Sequence, residues 1–154
     1  MEYEIRPFSE SDSIGVKDLI LAVLTKEYPF DKSAYSDSDL DRIREVYGGP
    51  RDSFFVSERL GAIVGTVGIK EDEKDAALLR RLFVSLDYRK KGIGSRLLEI
   101  ALQFCRSHGY KRVMFRCTDR MRDAMRLCEK NGFKEVESLD AGGFKIHKLM
   151  LTLG

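Results

Sequence analysis

A chain of 154 residues with 43% apolar and 34% charged side chains is long enough for one domain with a real core and has the balance of a globular rather than a disordered protein. No apolar run reaches the ~20 residues that cross a bilayer, Met1-Glu2-Tyr3-Glu4 lacks the basic and apolar regions of a signal peptide, and three widely spaced cysteines without partnering histidines suggest neither a disulfide framework nor a metal site. A reduced, cytoplasmic protein without membrane partner or metal is therefore expected.

The net charge of +2 conceals an asymmetry: residues 1–50 carry six Lys/Arg against eleven Asp/Glu, whereas residues 51–154 carry twenty-one against fourteen. An acidic N-terminal surface that attracts a cation and a basic remainder that holds an anion is one reading, and a pair of solvated faces is the other.

In chain order, Glu4-Ile5-Arg6 reads as a strand, and Ser9 to Asp12 as caps for a helix carrying Ile14, Leu19, Ile20, Val23 and Leu24. Tyr28 through Ser38 is polar and aperiodic. Leu40, Ile43, Val46 and Tyr47 then recur at helical spacing until Gly48-Gly49-Pro50. Phe54 to Ser57 and Ala62 to Ile69, joined by Arg59-Leu60-Gly61, form a predicted hairpin, and an acidic turn over residues 71–75 leads to a strand from Leu78 to Val84. A helix follows from Ile93 to His108 with Ile93, Leu97, Ile100, Ala101, Phe104 and Cys105 on one face. The remainder reads as a strand at Val113 to Cys117, a short helix at Arg122 to Lys130 and two strands, Phe133 to Glu137 and Phe144 to Leu151. Strands on either side of one helix predict a right-handed parallel crossover.

The segment between the Leu78–Val84 strand and the following helix, Arg89-Lys90-Lys91-Gly92-Ile93-Gly94-Ser95, carries the most chemical information. Helix-start N–H groups and the positive dipole end favour an anion, and glycines allow its close approach. Neither the Walker loop nor the three-glycine dinucleotide fingerprint fits this spacing. The turn lies at the carboxyl end of a strand, where α/β sheets bind ligands.

With Leu82-Phe83-Val84 before it, this loop resembles the R/Q-x-x-G-x-G/A pyrophosphate loop of the GNAT superfamily of acyl-CoA-dependent N-acetyltransferases. Ala124 to Phe133 is similar to a second segment of that superfamily, A-I-x-L-Y-E-K-x-G-F, in the right order and at the right distance. The resemblance covers nearly the whole chain. It implies that backbone N–H groups of Lys90, Lys91, Gly92, Ile93, Gly94 and Ser95 hold the CoA pyrophosphate, that Arg89 adds charge, and that the backbone of the Leu82-Phe83-Val84 strand, through Leu82 and Val84, meets pantetheine. Two parallel strands that splay apart leave edge groups such an arm can satisfy.

Three departures accompany the match. Cys128 stands where many members place a tyrosine acid, and is read either as a proton donor to the departing thiolate or as a buried helix-face residue. Leu78 stands at a frequent glutamate and Met121 at a frequent asparagine. The base is then a water chain, Glu27, Tyr28 or no residue at all, and Glu27, Tyr28, Asp31 and Tyr35 occupy the stretch where family members build the acceptor site. His147 faces solvent or the acceptor cleft.

The expected fold is a single GNAT-like α/β domain over residues 1–154: a mixed, mostly antiparallel sheet with a splayed central parallel strand pair and helices on both faces. The expected function is transfer of acetyl from acetyl-CoA to an amine of a small molecule or protein, by a monomer or homodimer. A non-catalytic CoA-binding or regulatory module is the alternative. Nucleic-acid binding through Arg116, Arg120, Arg122 and Arg126 is disfavoured, because no aromatic platform is interleaved with them.

Overall fold

The computed structural model describes residues 2–27 and 39–154. Strand β1 (Glu4–Pro7) is followed by a 3₁₀ turn at Glu10–Asp12, where the Asp12 carboxylate accepts the Ser9 N–H at 2.9 Å and the Arg6 guanidinium at 2.7 Å. Helix α1 (Ser13–Glu27) buries Val16, Ile20, Val23 and Leu24, an i, i+4, i+7, i+8 stripe. Each such side chain contributes about 1.5–3 kcal/mol of transfer free energy. Ile14, expected on this face, is 76% exposed. Helix α2 is a single turn, Ile43–Val46, shorter than the spacing from Leu40 to Tyr47 predicts.

Strands β2 (Ser53–Arg59) and β3 (Ala62–Glu73) form the predicted hairpin, closed by Leu60 and Gly61 at φ 51° and 82°. Two successive left-handed residues match the twist of the strands they join. The acidic residues 71–73 extend β3, so the turn into β4 (Ala76–Val84) is tighter than expected. After a 3₁₀ turn at Leu86–Tyr88 come helix α3 (Ile93–Ser107), β5 (Arg112–Thr118), α4 (Arg122–Lys130), β6 (Lys134–Asp140) and β7 (Lys145–Thr152).

The seven strands are ordered β1-β2-β3-β4-β5-β7-β6, and β4·β5 is the parallel pair among antiparallel neighbours. Helix α3 packs on one face, so closely that a Cβ on Gly65 would lie 2.8 Å from Leu97. On the opposite face Tyr47 lies against Gly68, and the Lys17–Asp41 ion pair at 2.6 Å joins α1 to the approach to α2. The α3 stripe is wider than expected: Leu98 and Leu102 are buried, while Ile100 and Phe104 are half-buried. The expected fold, a mixed sheet with a parallel pair and helices on both faces, is the observed one.

Candidate active site

Strands β4 and β5 pair only from Ala76↔Arg112 to Leu79↔Phe115, yet β4 continues to Val84 and β5 to Thr118. A bulge bends β4 away at this point. Thr66 of β3 pairs with Phe83 and Gly68 with Arg80, which leaves two β4 residues opposite one, and Arg81 takes φ 56°. The conformation costs a non-glycine residue roughly 1–2 kcal/mol. Its surroundings hold it there: the Arg81 carbonyl accepts the Thr66 hydroxyl at 2.7 Å, and its guanidinium binds Asp39 through Nε at 3.1 Å and a terminal nitrogen at 2.5 Å. The Tyr47 hydroxyl donates to the same carboxylate at 2.7 Å. Burial alone would raise the Asp39 pKa, but the hydrogen bonds from Arg81 and Tyr47 outweigh it and hold the carboxyl below its ordinary range.

Two cavities open where the strands part, and both are lined by Leu82, Phe83 and Met121. The one on the α3 side, about 380 Å³, is bounded by Val84, Tyr88, the turn from Arg89 to Ser95 and the α4 residues Ala124, Arg126, Leu127 and Lys130. Gly92 caps α3 with φ 85°, a left-handed conformation for which glycine carries no Cβ penalty. Gly94 sits between Leu127 and Val84, at 3.4 and 3.6 Å from where its Cβ would be. The Arg89 Nε–H donates to the Val84 carbonyl at 3.1 Å, fixing the start of the turn to the end of β4.

The second cavity, about 600 Å³, lies on the face that carries Tyr47 and is bounded by Leu78, Arg80, Arg81, Met114, Arg116, Thr118, Glu137, Leu139, Ile146 and Lys148 among others. Among the described residues that line it, cations outnumber the one carboxylate, Glu137, four to one.

The chain matches the acetyltransferase (GNAT) family over residues 18–133. It belongs to that family. An uncharacterized N-acetyltransferase of Escherichia coli, YjgM, is 30% identical over 105 residues, which are 66% of this chain and 63% of that protein. The fold of a Staphylococcus aureus GNAT acetyltransferase superposes at TM-score 0.86 with 21% identity, covering 99% of this chain and 100% of that one. A Salmonella typhimurium protein solved with its cofactor acetyl-CoA superposes at 0.78 with 18% identity, over 100% and 95%. The chain spans only 38–63% of the length of the first curated relatives it matches.

In this GNAT domain the residues expected around the donor converge: Leu82, Phe83, Val84, Arg89, Lys90, Gly92, Ile93, Gly94 and Ser95 all line the α3-side cavity. Lys91 is exposed and outside that lining. Cys128 lies outside both linings, wholly buried in the core, and burial pushes its thiol up to about 12. Glu27 is the last residue of α1, whereas Tyr28, Asp31 and Tyr35 lie outside the described residues. His147 is half-buried beside Glu135, whose carboxylate it contacts through Nδ1, and lines neither cavity. Leu78 and Met121, read only as departures, line the cavities, Met121 at their junction.

Two groups escaped sequence reasoning. Arg126 and Lys130 add cations to the α3-side cavity, and their i, i+4 spacing on a helix signals a shared face. The Asp39–Arg81–Tyr47 cluster left no such signal, because Arg81 lies 42 residues from Asp39 in the chain.

Proposed function

We propose that the chain transfers an acetyl group from acetyl-CoA directly to an amine. The observation that carries this reading is the meeting of two cavities at Leu82, Phe83 and Met121, one walled by a glycine-bearing helix start and the other by side chains of β4 to β7. The residues suit the donor. First-turn N–H groups of α3 lack intrahelical partners and, beside Arg89, Lys90, Arg126 and Lys130, suit a pyrophosphate. A side chain at Gly92 or Gly94 would project into the space that the phosphates need. The unpaired edge of β4 beyond Leu79 offers backbone groups to an amide-bearing arm.

Bound acetyl-CoA supplies the activated thioester. The chain's own part is to hold it in the splay, to present a backbone N–H of β4 to the developing oxyanion, and to keep the amine in line. Buried Cys128 is better placed to pack than to donate, so a water chain carries the protons in this reading. A role for Glu27 or Tyr28 toward the acceptor belongs to the same proposal.

The test couples binding with turnover. At about 100 times its dissociation constant, acetyl-CoA should add roughly 2.7 kcal/mol to stability, and CoA release should require an amine. Stabilisation without release for any amine would favour the non-catalytic CoA-binding module. No stabilisation at all would sink both readings.

A further inference from the structure

The charge of the second cavity says what kind of amine it takes. Resting on the acetyltransferase reading, we infer that the acceptor carries an anionic group, a carboxylate or phosphate, on the same small molecule as its amine, and that Arg116 and Lys148 bind that anion.

Arg116 and Lys148 face each other directly across the β5·β7 ladder, and both line the cavity. Like charges in that relation repel and destabilise a sheet unless something compensates them. Glu137, the β6 partner of Lys148, is within ion-pair reach of neither cation, and neither has an ion-pair partner among the described residues. Arg80 strengthens the field from β4. Its carboxylate partner among the described residues, Asp39 at 4.0 Å, is already engaged by both Arg81 and Tyr47. Among the described residues the wall therefore holds an excess of positive charge beside apolar Leu78, Met114, Leu139 and Ile146. A cavity of about 600 Å³ is the size of a small-molecule site. A cationic acceptor such as a polyamine would meet repulsion there. An amino acid with an apolar side chain would place its carboxylate on Arg116 and Lys148, its body on the apolar residues and its amine toward Leu82 and Met121.

The experiment uses one molecular body in four forms: phenylalanine, its aminophosphonate analogue, phenylalanine amide and phenethylamine, each assayed by CoA release on wild type and on Arg116→Gln. Hydrogen bonds to charged groups discriminate by about tenfold or more. The expected result is a kcat/KM for phenylalanine or the phosphonate at least about tenfold above phenethylamine and the amide, with Arg116→Gln collapsing that ratio mainly through KM. Which anion leads separates the carboxylate from the phosphate source.

Equal turnover of all four, a preference for spermidine, or an unchanged ratio in Arg116→Gln would overturn the inference while leaving the transferase reading intact. If acetyl-CoA stabilises the protein but no amine turns over, calorimetric titration of the CoA complex with 3-phenylpropanoate and 3-phenylpropanamide decides. Binding of the acid alone upholds the anion site, and binding of neither, or of both equally, overturns it. Absence of any acetyl-CoA stabilisation would instead mark failure of the underlying reading.

Discussion

The two cavities that meet at Leu82, Phe83 and Met121 are made in different ways. The donor-side wall is mostly one stretch of chain, Leu82 to Ser95, and its business end is backbone at a helix start, with α4 closing the other side. The acceptor-side wall is assembled from side chains on four strands, β4 to β7, and depends on a bulge that a remote aspartate holds in place. A contiguous backbone device tolerates substitution of most side chains around it. A discontinuous wall of side chains can change its ligand with one or two replacements.

The largest expected effect breaks the acceptor side. Asp39→Ala leaves the buried Arg81 guanidinium without its bidentate partner, and removing one member of such a pair costs roughly 3–5 kcal/mol. Asp39→Leu combined with Arg81→Met should recover most of that loss, because the uncompensated charge goes too. Since Asp39 titrates below its ordinary 3.8, its contribution is present above that pH and fades as pH falls further toward the lowered value. Denaturation followed from pH 6 to 2 should show a steep acid limb in wild type that the Leu/Met double variant flattens. An Asp39→Ala protein as stable as wild type would remove the cluster from the account of the bulge.

Next in size is a break on the donor side. Gly92→Glu with Gly94→Glu places two carboxylates where an anion is to bind, and Gly92 also gives up a left-handed φ, at a cost of about 1–2 kcal/mol. The folded double variant should lose the whole acetyl-CoA stabilisation, expected at roughly 2.7 kcal/mol with ligand at about 100 times its dissociation constant. Retention of half of it would mean that α3 is not the phosphate cradle.

This contrast also explains what was legible in the sequence. The loop from Arg89 to Ser95 could be read because its residues are neighbours and its context, strand before and helix after, is a local pattern. The acceptor wall could not, because Arg116 meets Lys148 only through a register that places β7 between β5 and β6. Hairpin adjacency pairs β6 with β7 but does not say which of them joins β5. The acidic N-terminal part reads either as a site for a cation or as a solvated face; among the described residues its acids Asp12, Asp39 and Asp41 are paired with Arg6, Arg81 and Lys17. Tyr47 reads as an apolar helix position and does pack there, yet its hydroxyl also serves Asp39. Net charge over fifty residues carries no record of such pairings.

Cys128 sharpens the comparison from the core, outside both cavity linings. Cys128→Ala removes a fully buried sulfur and should cost on the order of 1 kcal/mol. With its folded pKa raised from 9.0 to about 12, the thiol stabilises the fold fully below pH 9, and that contribution is lost as pH climbs toward 12. The variant should therefore lose part of the alkaline limb of the stability curve while keeping the wild-type shape of rate against pH between 7 and 9. If instead its turnover falls more at neutral than at high pH, the thiol is the acid after all.

The smallest effect separates charge from geometry within the donor site. Arg126 and Lys130 are exposed, and their contribution to anion binding is made across water. Arg126→Gln with Lys130→Gln should weaken acetyl-CoA binding only a few-fold at low ionic strength, as exposed pairs worth about 0.2–1 kcal/mol do. At 1 M salt, where the Debye length falls to about 3 Å, the difference should nearly vanish. The ratio of phenylalanine to phenethylamine turnover should be untouched, because these cations border the other cavity. A large, salt-resistant loss would mean that α4 holds a phosphate by direct hydrogen bonds, and the donor site would then be as dependent on particular side chains as the acceptor wall across the sheet.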